Sequence, residues 1–442
     1  MTLTEMGVFV TRMRPLGERR AGPAVVCGGL YSRASPRINL ADERDNWRWA
    51  LAVCDPMGRS AMSSPAPPVL FLVANQAWNL VNYRSGLIAA LRASGFEVVA
   101  IAPPEPAMEA RLRAMGCRFE AIPLNAKGLS PLAELRTFLA LWSLVRRYRP
   151  RALLGWTIKA NLWGALAARL CGLPAILNVS GLGIAADRGL LQRLAALLYR
   201  FCFARAATVF FQNEADLAAL VGPGLVRPAQ ARLLPGSGID AEWFKPAIRT
   251  RPEARRYVLI ARLLAPKGVR EFVAAARELR RTGPELRFVL VGFLDVANAT
   301  AITRAEVEGW VSEGAIEYME PVEDVRAILD GAEAVVLPSY YREGLSRALL
   351  EAAAMARPVI TTELPGCREA VVDGVTGYLC KPRDVASLIA AIERLATLGP
   401  DQWRAMGDAA RARIESEFSE SIVVARYLEA LARAGVTSTQ TR

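Results

Sequence analysis

Short, uninterrupted apolar runs recur along the chain, spaced so that one helix fits between each pair. "VLFLVA" (69–74), "FEVVAIAP" (96–103), "ALLGW" (152–156), "AILNVS" (175–180) and "ATVFFQ" (207–212) are continuously apolar rather than alternating. A strand that is apolar on both sides is buried on both faces. The stretches between, such as "YRSGLIAALRASG" (83–95), have helical spacing. Together these predict parallel strands covered on both sides by crossover helices. Over residues 232–256 the rhythm breaks into turn formers and charges. It restarts with "YVLIAR" (257–262), the helical "GVREFVAAARELRRTG" (268–283), "RFVLVG" (287–292) and "AVVLPS" (334–339). We expect an α/β protein of two doubly wound, Rossmann-like domains facing each other across a cleft. The first would span 67–240 and the second 241–418, with 419–442 forming a helix that packs back towards the first domain, plus a tail. Ligands of such sheets bind beyond the carboxyl ends of the strands, which places the site in the cleft.

Residues 1–66 follow neither period. "RMRPLGERRAGPAVVCGG" and "DPMGRSAMSSPAPP" are rich in Arg, Pro, Gly and Ser. They read as a disordered leader, as a start placed too early (Met57 and Met62 directly precede the first strand run), or as a regulatory arm. No run reaches the roughly 18 apolar residues of a membrane span.

Composition removes several chemistries. The 442-residue chain has no histidine, so an imidazole base or a His-held metal is excluded. Its 7 cysteines stand singly without CxxC spacing and read as reduced thiols of a cytosolic protein. The formal net charge of +12 calls for an anionic partner. No aromatic–basic repeat or recognised module points to nucleic acid.

"EGLSRALLEAAAMARPVITT" (343–362) carries the most chemistry. Glu343 and Glu351 are the only acids between Val335 and Thr362, in an otherwise apolar and small-residue run. A buried carboxylate needs partners. We expect a helix to start near Gly344 or Leu345 at the carboxyl edge of the sheet, offering its amides and dipole to a diphosphate. Eight helical residues span about 12 Å and return to a similar face. Glu343 and Glu351 would then flank that anion, as hexose and ribose hydroxyls of a nucleotide sugar require. Arg262 and Lys267, in "IARLLAPKGVREF" (260–272), sit at a strand end and just before a helix. They could neutralise a departing diphosphate without a metal. No D-x-D is present to hold one.

Arg262 with Lys267, "EGLSRALLE" and the following "AAAMARPVITTELPGCREAVVDGVTGYL" resemble the carboxyl-terminal half of glycosyltransferase family 4, retaining enzymes of the two-domain GT-B fold. The likeness runs from about residue 69 to 430, with "GSGID" (236–240) at the interdomain entry. It implies a donor site of Arg262, Lys267, Glu343, Gly344, Leu345, Ser346 and Glu351. In it Glu343 contacts the sugar, Glu351 the ribose, and the two cations the diphosphate. Glu343, Arg262 and Lys267 are the implied catalytic residues, and "ELPGCRE" (363–369) lies alongside. The chain departs from the family at Ser346, commonly Pro, and Ala356, commonly Gly.

In the first domain, "VANQAWNLVNYRSG" (73–86) follows the first strand, making Asn75, Trp78, Asn79 and Arg84 candidates for acceptor or diphosphate contact. A capping turn with a packed Trp is the alternative. "WTIKANLWGALAARL" (156–170) repeats the arrangement with Thr157 and Lys159, and "NVSGLG" (178–183) puts Ser180 and Gly181 where backbone must approach something closely. These segments resemble family 4 enzymes of bacterial surface polysaccharide pathways, which act on sugars linked to undecaprenyl diphosphate. The resemblance implies transfer of a hexose or N-acetylhexosamine from a UDP sugar to a lipid-linked glycan, with no cofactor and no metal. Between 131 and 212, eleven Arg and Lys face only Glu134 and Asp187. "RGLLQRLAALLYRFCFARAA" (188–207) interleaves arginines with Leu and aromatics. It reads either as a core helix or as one lying on an anionic membrane, and the lipid acceptor favours peripheral attachment at the inner face of the cytoplasmic membrane. Two other functions are open at this point: a nucleotide-sugar epimerase of the same architecture, and a non-catalytic subunit of a polysaccharide assembly complex.

Overall fold

The structure is a computed structural model and describes residues 67–125, 130–181 and 190–438. Every reading of residues 1–66 therefore lies outside it. The first sheet holds β1 (Val69–Val73), β2 (Glu97–Ala102), β3 (Arg118–Ala121), β4 (Ala152–Trp156), β5 (Ala175–Val179), β6 (Thr208–Phe211) and β7 (Ala231–Leu233). Its order is β3-β2-β1-β4-β5-β6-β7. The second holds β8 (Arg256–Ile260), β9 (Arg287–Val291), β10 (Glu317–Met319), β11 (Ala334–Leu337), β12 (Val359–Thr362) and β13 (Gly377–Cys380), ordered β10-β9-β8-β11-β12-β13. All these pairings are parallel.

Around the first sheet lie α1 (Ala77–Ala93), α2 (Pro106–Ala114), α3 (Pro131–Tyr148), α4 (Ile158–Cys171), α5 (Leu190–Phe203) and α6 (Glu214–Val221). Around the second lie α7 (Val269–Thr282), α8 (Arg304–Ser312), α9 (Arg326–Asp330), α10 (Arg347–Ala354), α11 (Val385–Ala396) and α12 (Pro400–Glu417). The last helix, α13 (Glu420–Arg433), returns to the first lobe, where Val423, Tyr427, Ala430 and Leu431 complete the core beneath β1 and β4. The Tyr427 hydroxyl accepts from Trp156 Nε1 (2.8 Å) and Asn178 Nδ2 (3.0 Å), tying that helix to β4 and β5.

The chain crosses between the lobes twice. Leu234 belongs to the first core, while Ile239 and Phe244 belong to the second. The two crossings are bonded to each other: Ile239 N donates to the Phe418 carbonyl at 2.8 Å, and Glu420 N to the Ile239 carbonyl at 2.9 Å. Both lobes form one compact unit.

The strand order reverses between β1 and β4 and again between β8 and β11. Those two reversals open the crevices where ligands of doubly wound sheets bind. The segments leaving these four strands carry Asn75, Thr157, Arg262 and residues 339–346 respectively.

Candidate functional site

Lys267 ends a short 3-10 turn, Ala265–Lys267, directly after the β8 exit. Gly268 follows with φ +76°, and a Cβ there would lie 2.1 Å from the Pro338 carbonyl oxygen. Only glycine lets this turn lie against the end of β11. The same turn anchors the next loop, because the Pro266 carbonyl accepts from Tyr340 N (2.8 Å) and Tyr341 N (3.0 Å). That anchoring brings Glu343 to Lys267, and their side chains form a direct ion pair, both largely buried. The residues assigned to sugar and diphosphate are therefore each other's partners.

The helix starts later than predicted. Its first residue is Arg347, with Ser346 at the N-cap. Ser346 N donates to the Gly366 carbonyl at 3.0 Å, which holds the preceding segment out of the helix. Glu343 lies on this non-helical approach, so the span of about 12 Å for a continuous helix does not describe the pair. No side chain caps the helix start, and the first-turn amides are available to an anion. "ELPGCRE" does lie alongside: a Cβ on Gly366 would meet the Glu343 carbonyl oxygen at 2.3 Å.

Glu351 is 2% exposed and bonds Arg347 Nε at 2.7 Å, one turn away on α10. Arg347 also donates through Nη1 to Ser237 Oγ (2.9 Å) and the Gly238 carbonyl (3.1 Å). Sequence reasoning passed over Arg347, although its i,i+4 relation to Glu351 was a visible signal. At the far end of α10, Ala356 takes φ +53°. Arg357 N bonds the Ala352 carbonyl and Ala356 N the Ala353 carbonyl, so this is a Schellman exit at a position where glycine is usual.

Arg262, Lys267, Glu343 and Glu351 line one cavity of about 250 Å³ between the lobes, together with Gly344, Leu345 and Ser346. The first lobe contributes Asn79, Tyr83 and Arg84. Burial pushes the Tyr83 hydroxyl up to about 12, against the lowering influence of Arg347. Burial likewise lowers the Arg84 guanidinium, which lies 5.0 Å over the Trp156 ring.

The helix expected from Tyr83 begins earlier, at Ala77, so Trp78 and Asn79 lie with Arg84 on α1 rather than on the segment leaving β1. Trp78 is buried against Tyr83 and lines neither cavity of the cleft, so the packed-Trp alternative holds. The helix start is occupied by Glu105, whose carboxylate accepts from Ala77 N (2.9 Å) and Trp78 N (3.0 Å). Asn75, Thr157, Lys159, Ser180 and Gly181 line a second cavity of about 330 Å³, which shares Ser180 and Arg262 with the first. Lys159 is not free there, because it pairs with Glu134 at 2.5 Å and donates to the Asn125 carbonyl at 2.8 Å. Thr157 has φ +74°, and its buried Oγ1 has no hydrogen-bond partner. Strain of this kind in a β-branched residue costs about 1–3 kcal/mol and collects at functional sites.

Gly181 also forms the seam between lobes: a Cβ on it would meet Gly344 N at 2.7 Å. Asn213 caps α6 by accepting from Asp216 N at 2.8 Å and donates across the seam to the Glu343 and Gly344 carbonyls at 3.2 and 2.9 Å. Nothing in the local pattern marked Asn213 beyond its N-cap position.

Residues 80–236 match the family profile described as Glycosyl transferase 4-like domain, and residues 254–397 match Glycosyl transferases group 1. The chain is a glycosyltransferase of this two-lobed family. It is 25% identical over 370 residues to a Campylobacter jejuni protein named N,N'-diacetylbacillosaminyl-diphospho-undecaprenol alpha-1,3-N-acetylgalactosaminyltransferase, covering 79% of the glycosyltransferase and 95% of that relative. It is 24% identical over 301 residues to the Escherichia coli UDP-Gal:alpha-D-GlcNAc-diphosphoundecaprenol alpha-1,3-galactosyltransferase (62% and 73% of the two chains). The Anabaena protein HepE, solved with UDP, superposes with a TM-score of 0.66 at 17% identity over 83% of the enzyme and 99% of HepE. The fold of the glycosyltransferase is thus GT-B.

Proposed function

We propose that the enzyme transfers a hexose or N-acetylhexosamine from a UDP sugar to a glycan carried on undecaprenyl diphosphate, with retention and without a metal, in the assembly of a bacterial surface polysaccharide. One observation carries this reading: four cations, two carboxylates and the start of α10 converge on a single cavity at the strand-order reversal of the second sheet. A nucleotide sugar supplies hydroxyls at both ends and a diphosphate between them, which is the complement of that lining. Arg262, Lys267 and the amides of α10 would stabilise the departing diphosphate as charge develops on it. The acceptor hydroxyl attacks from the face the leaving group vacates, and a phosphate oxygen takes its proton. Two relatives named as acting on diphospho-undecaprenol sugars, one with UDP-galactose, support the donor and acceptor classes.

The membrane part of the proposal rests on exposed apolar side chains. Leu132, Leu135 and Leu139 stand out along α3, and Leu197 and Phe201 along α5. Arg136, Arg146, Arg147, Arg200 and Arg205 are exposed on or beside the same helices. Apolar wedges rimmed by cations suit peripheral binding to an anionic bilayer. Among the described residues no helix is long and apolar enough to cross a membrane.

The test is a panel of nucleotide sugars incubated with purified enzyme and extracted lipid-linked acceptor, read as released nucleoside diphosphate and glycosylated lipid, with and without EDTA. Acceptor-dependent UDP release insensitive to EDTA is expected. A free epimerised nucleotide sugar formed without acceptor would identify an epimerase instead. Flotation with phosphatidylglycerol vesicles, but not with phosphatidylcholine vesicles, checks the membrane contact.

A further inference from the structure

The cavity between the lobes is lined by four cations, Arg84, Arg262, Lys267 and Arg347, and two carboxylates. Glu343 is engaged by Lys267 and Glu351 by Arg347. Two guanidinium groups from opposite lobes hold donors to which nothing is bonded. Arg84, 3% exposed on α1, has no hydrogen-bond partner at Nε or Nη1. Arg347, with a side chain 10% exposed, has none at Nη2. The two are neighbours, since the Arg347 guanidinium lies 5.1 Å over the ring of Tyr83, the residue preceding Arg84. Arg84 is held from behind by the Trp156 ring, which in turn donates to Tyr427 of the returning helix. Arg347 is charge-paired with Glu351 and Arg84 feels the Glu420 carboxylate, but leaving buried donors unbonded is costly, and the bare Nε and Nη1 of Arg84 and Nη2 of Arg347 suit an anion held between the two groups.

We infer that Arg84 and Arg347 form a cross-lobe clamp for a diphosphate group, so that one anion is held from both sides of the cleft. This rests on the proposal that a diphosphate-bearing substrate occupies the cavity, and two substrates in that proposal carry one. The nucleotide sugar is the source we favour, because Arg347 opens α10, whose start lines the same cavity and carries no side-chain cap. The lipid diphosphate of the acceptor is the other source of the same chemistry. Arg262 and Lys267 lie in the second lobe with α10, so Arg84 is the residue through which the first lobe would register that the diphosphate is bound.

Titration calorimetry on the full chain and on Arg84→Met, with UDP, UMP and geranyl diphosphate as probes, tests the clamp. Because a charge-assisted bond is among the stronger kinds, UDP affinity should fall roughly 10- to 100-fold in the variant, about 1.4–2.8 kcal/mol at 1.4 kcal/mol per tenfold. UMP affinity should fall less, and Arg84→Lys should recover part of the loss. The ligand-free variant should melt at the same or a higher temperature, because it loses a buried guanidinium with unbonded donors. A fall confined to geranyl diphosphate would support the clamp and assign it to the acceptor. Unchanged affinity for both diphosphates would overturn it while leaving the donor proposal standing. So would a lower melting temperature with equal losses for UDP and UMP, which marks a packing role. If the wild type binds neither diphosphate, the clamp and the proposed substrates fall together.

Discussion

Gly268→Ala has a consequence that can be worked from distances. Gly268 sits at φ +76°, and its new methyl would lie 2.1 Å from the Pro338 oxygen and 2.6 Å from its carbonyl carbon. Carbon settles about 3.3 Å or more from a carbonyl oxygen, so the turn carrying Lys267 or the loop after β11 has to move by about 1 Å. Gly314, in the same lobe, has φ +72° with nothing within 4 Å and serves as the control. A left-handed backbone costs an alanine about 1–2 kcal/mol, of which about 0.4–1 is offset by the stiffer unfolded chain. Gly314→Ala should therefore lose roughly 0.5–1 kcal/mol, or about 1–4 °C in Tm for a lobe of this size. Gly268→Ala adds an overpacking cost of about 1–3 kcal/mol, for a drop of about 3–16 °C. Because Lys267 is held against Glu343 by this turn, only Gly268→Ala should also raise the KM for donor and lower kcat. Differential scanning calorimetry and a UDP-release assay on both variants read the two effects. Equal melting shifts with unaltered turnover would refute the reasoning.

Three further outcomes follow from particular residues. Ala356→Gly relieves left-handed strain at the exit of α10 and should raise the urea midpoint by the equivalent of about 0.5–1 kcal/mol, a sign that a lowered midpoint would contradict. Lys267→Ala should lower turnover about 100-fold or more at saturating donor, since it removes a cation from the developing charge of the leaving group. Near-normal turnover rules that role out. Burial pushes the thiols of Cys117, Cys202 and Cys367 up to about 11 and that of Cys380 to about 12, so none is ionised at pH 8. Among the described cysteines, alkylation of native protein at that pH should label exposed Cys171 first, and peptide mass spectrometry would show any early labelling of the other four.

Central strands were legible because they are apolar on both faces. β4 spans the same residues as its predicted run, and β1, β2, β5, β6, β8, β9 and β11 differ from theirs by at most two residues at either end. The strands that escaped notice are mostly edges. β3, β7 and β10 end their sheets, are short, and expose residues such as Arg118, Arg232 and Glu317, so they carry no continuous apolar signal. The four donor-side residues were legible because their spacing follows the exits of two neighbouring strands, β8 and β11. What sequence spacing could not supply is pairing across distance. Glu105 reaches the start of α1 from 28 residues away, and Asn213 reaches the Gly344 carbonyl from 131 away. Arg347 was passed over for the opposite reason: its partner is one turn off, where an i,i+4 pair usually signals only a surface helix.

The chain has no histidine, which leaves open what accepts the proton of the attacking hydroxyl. The carboxylates lining the donor cavity are Glu343 and Glu351, and each already has a cation bonded to it, Lys267 in one case and Arg347 in the other. A general base has to present an oxygen within hydrogen-bond reach of the proton it removes. Glu351 is enclosed on α10 and committed to Arg347, so moving it would strand a buried guanidinium at a cost of several kcal/mol. Glu343 is freed only if Lys267 turns to another anion, and the diphosphate of the proposed donor is such an anion. In the proposed reaction, the event that releases Glu343 would also bring phosphate oxygens into the cavity, where they would gain negative charge as the sugar departs. In the proposed transfer those oxygens would become more basic as the hydroxyl becomes more acidic, a step that calls for no imidazole.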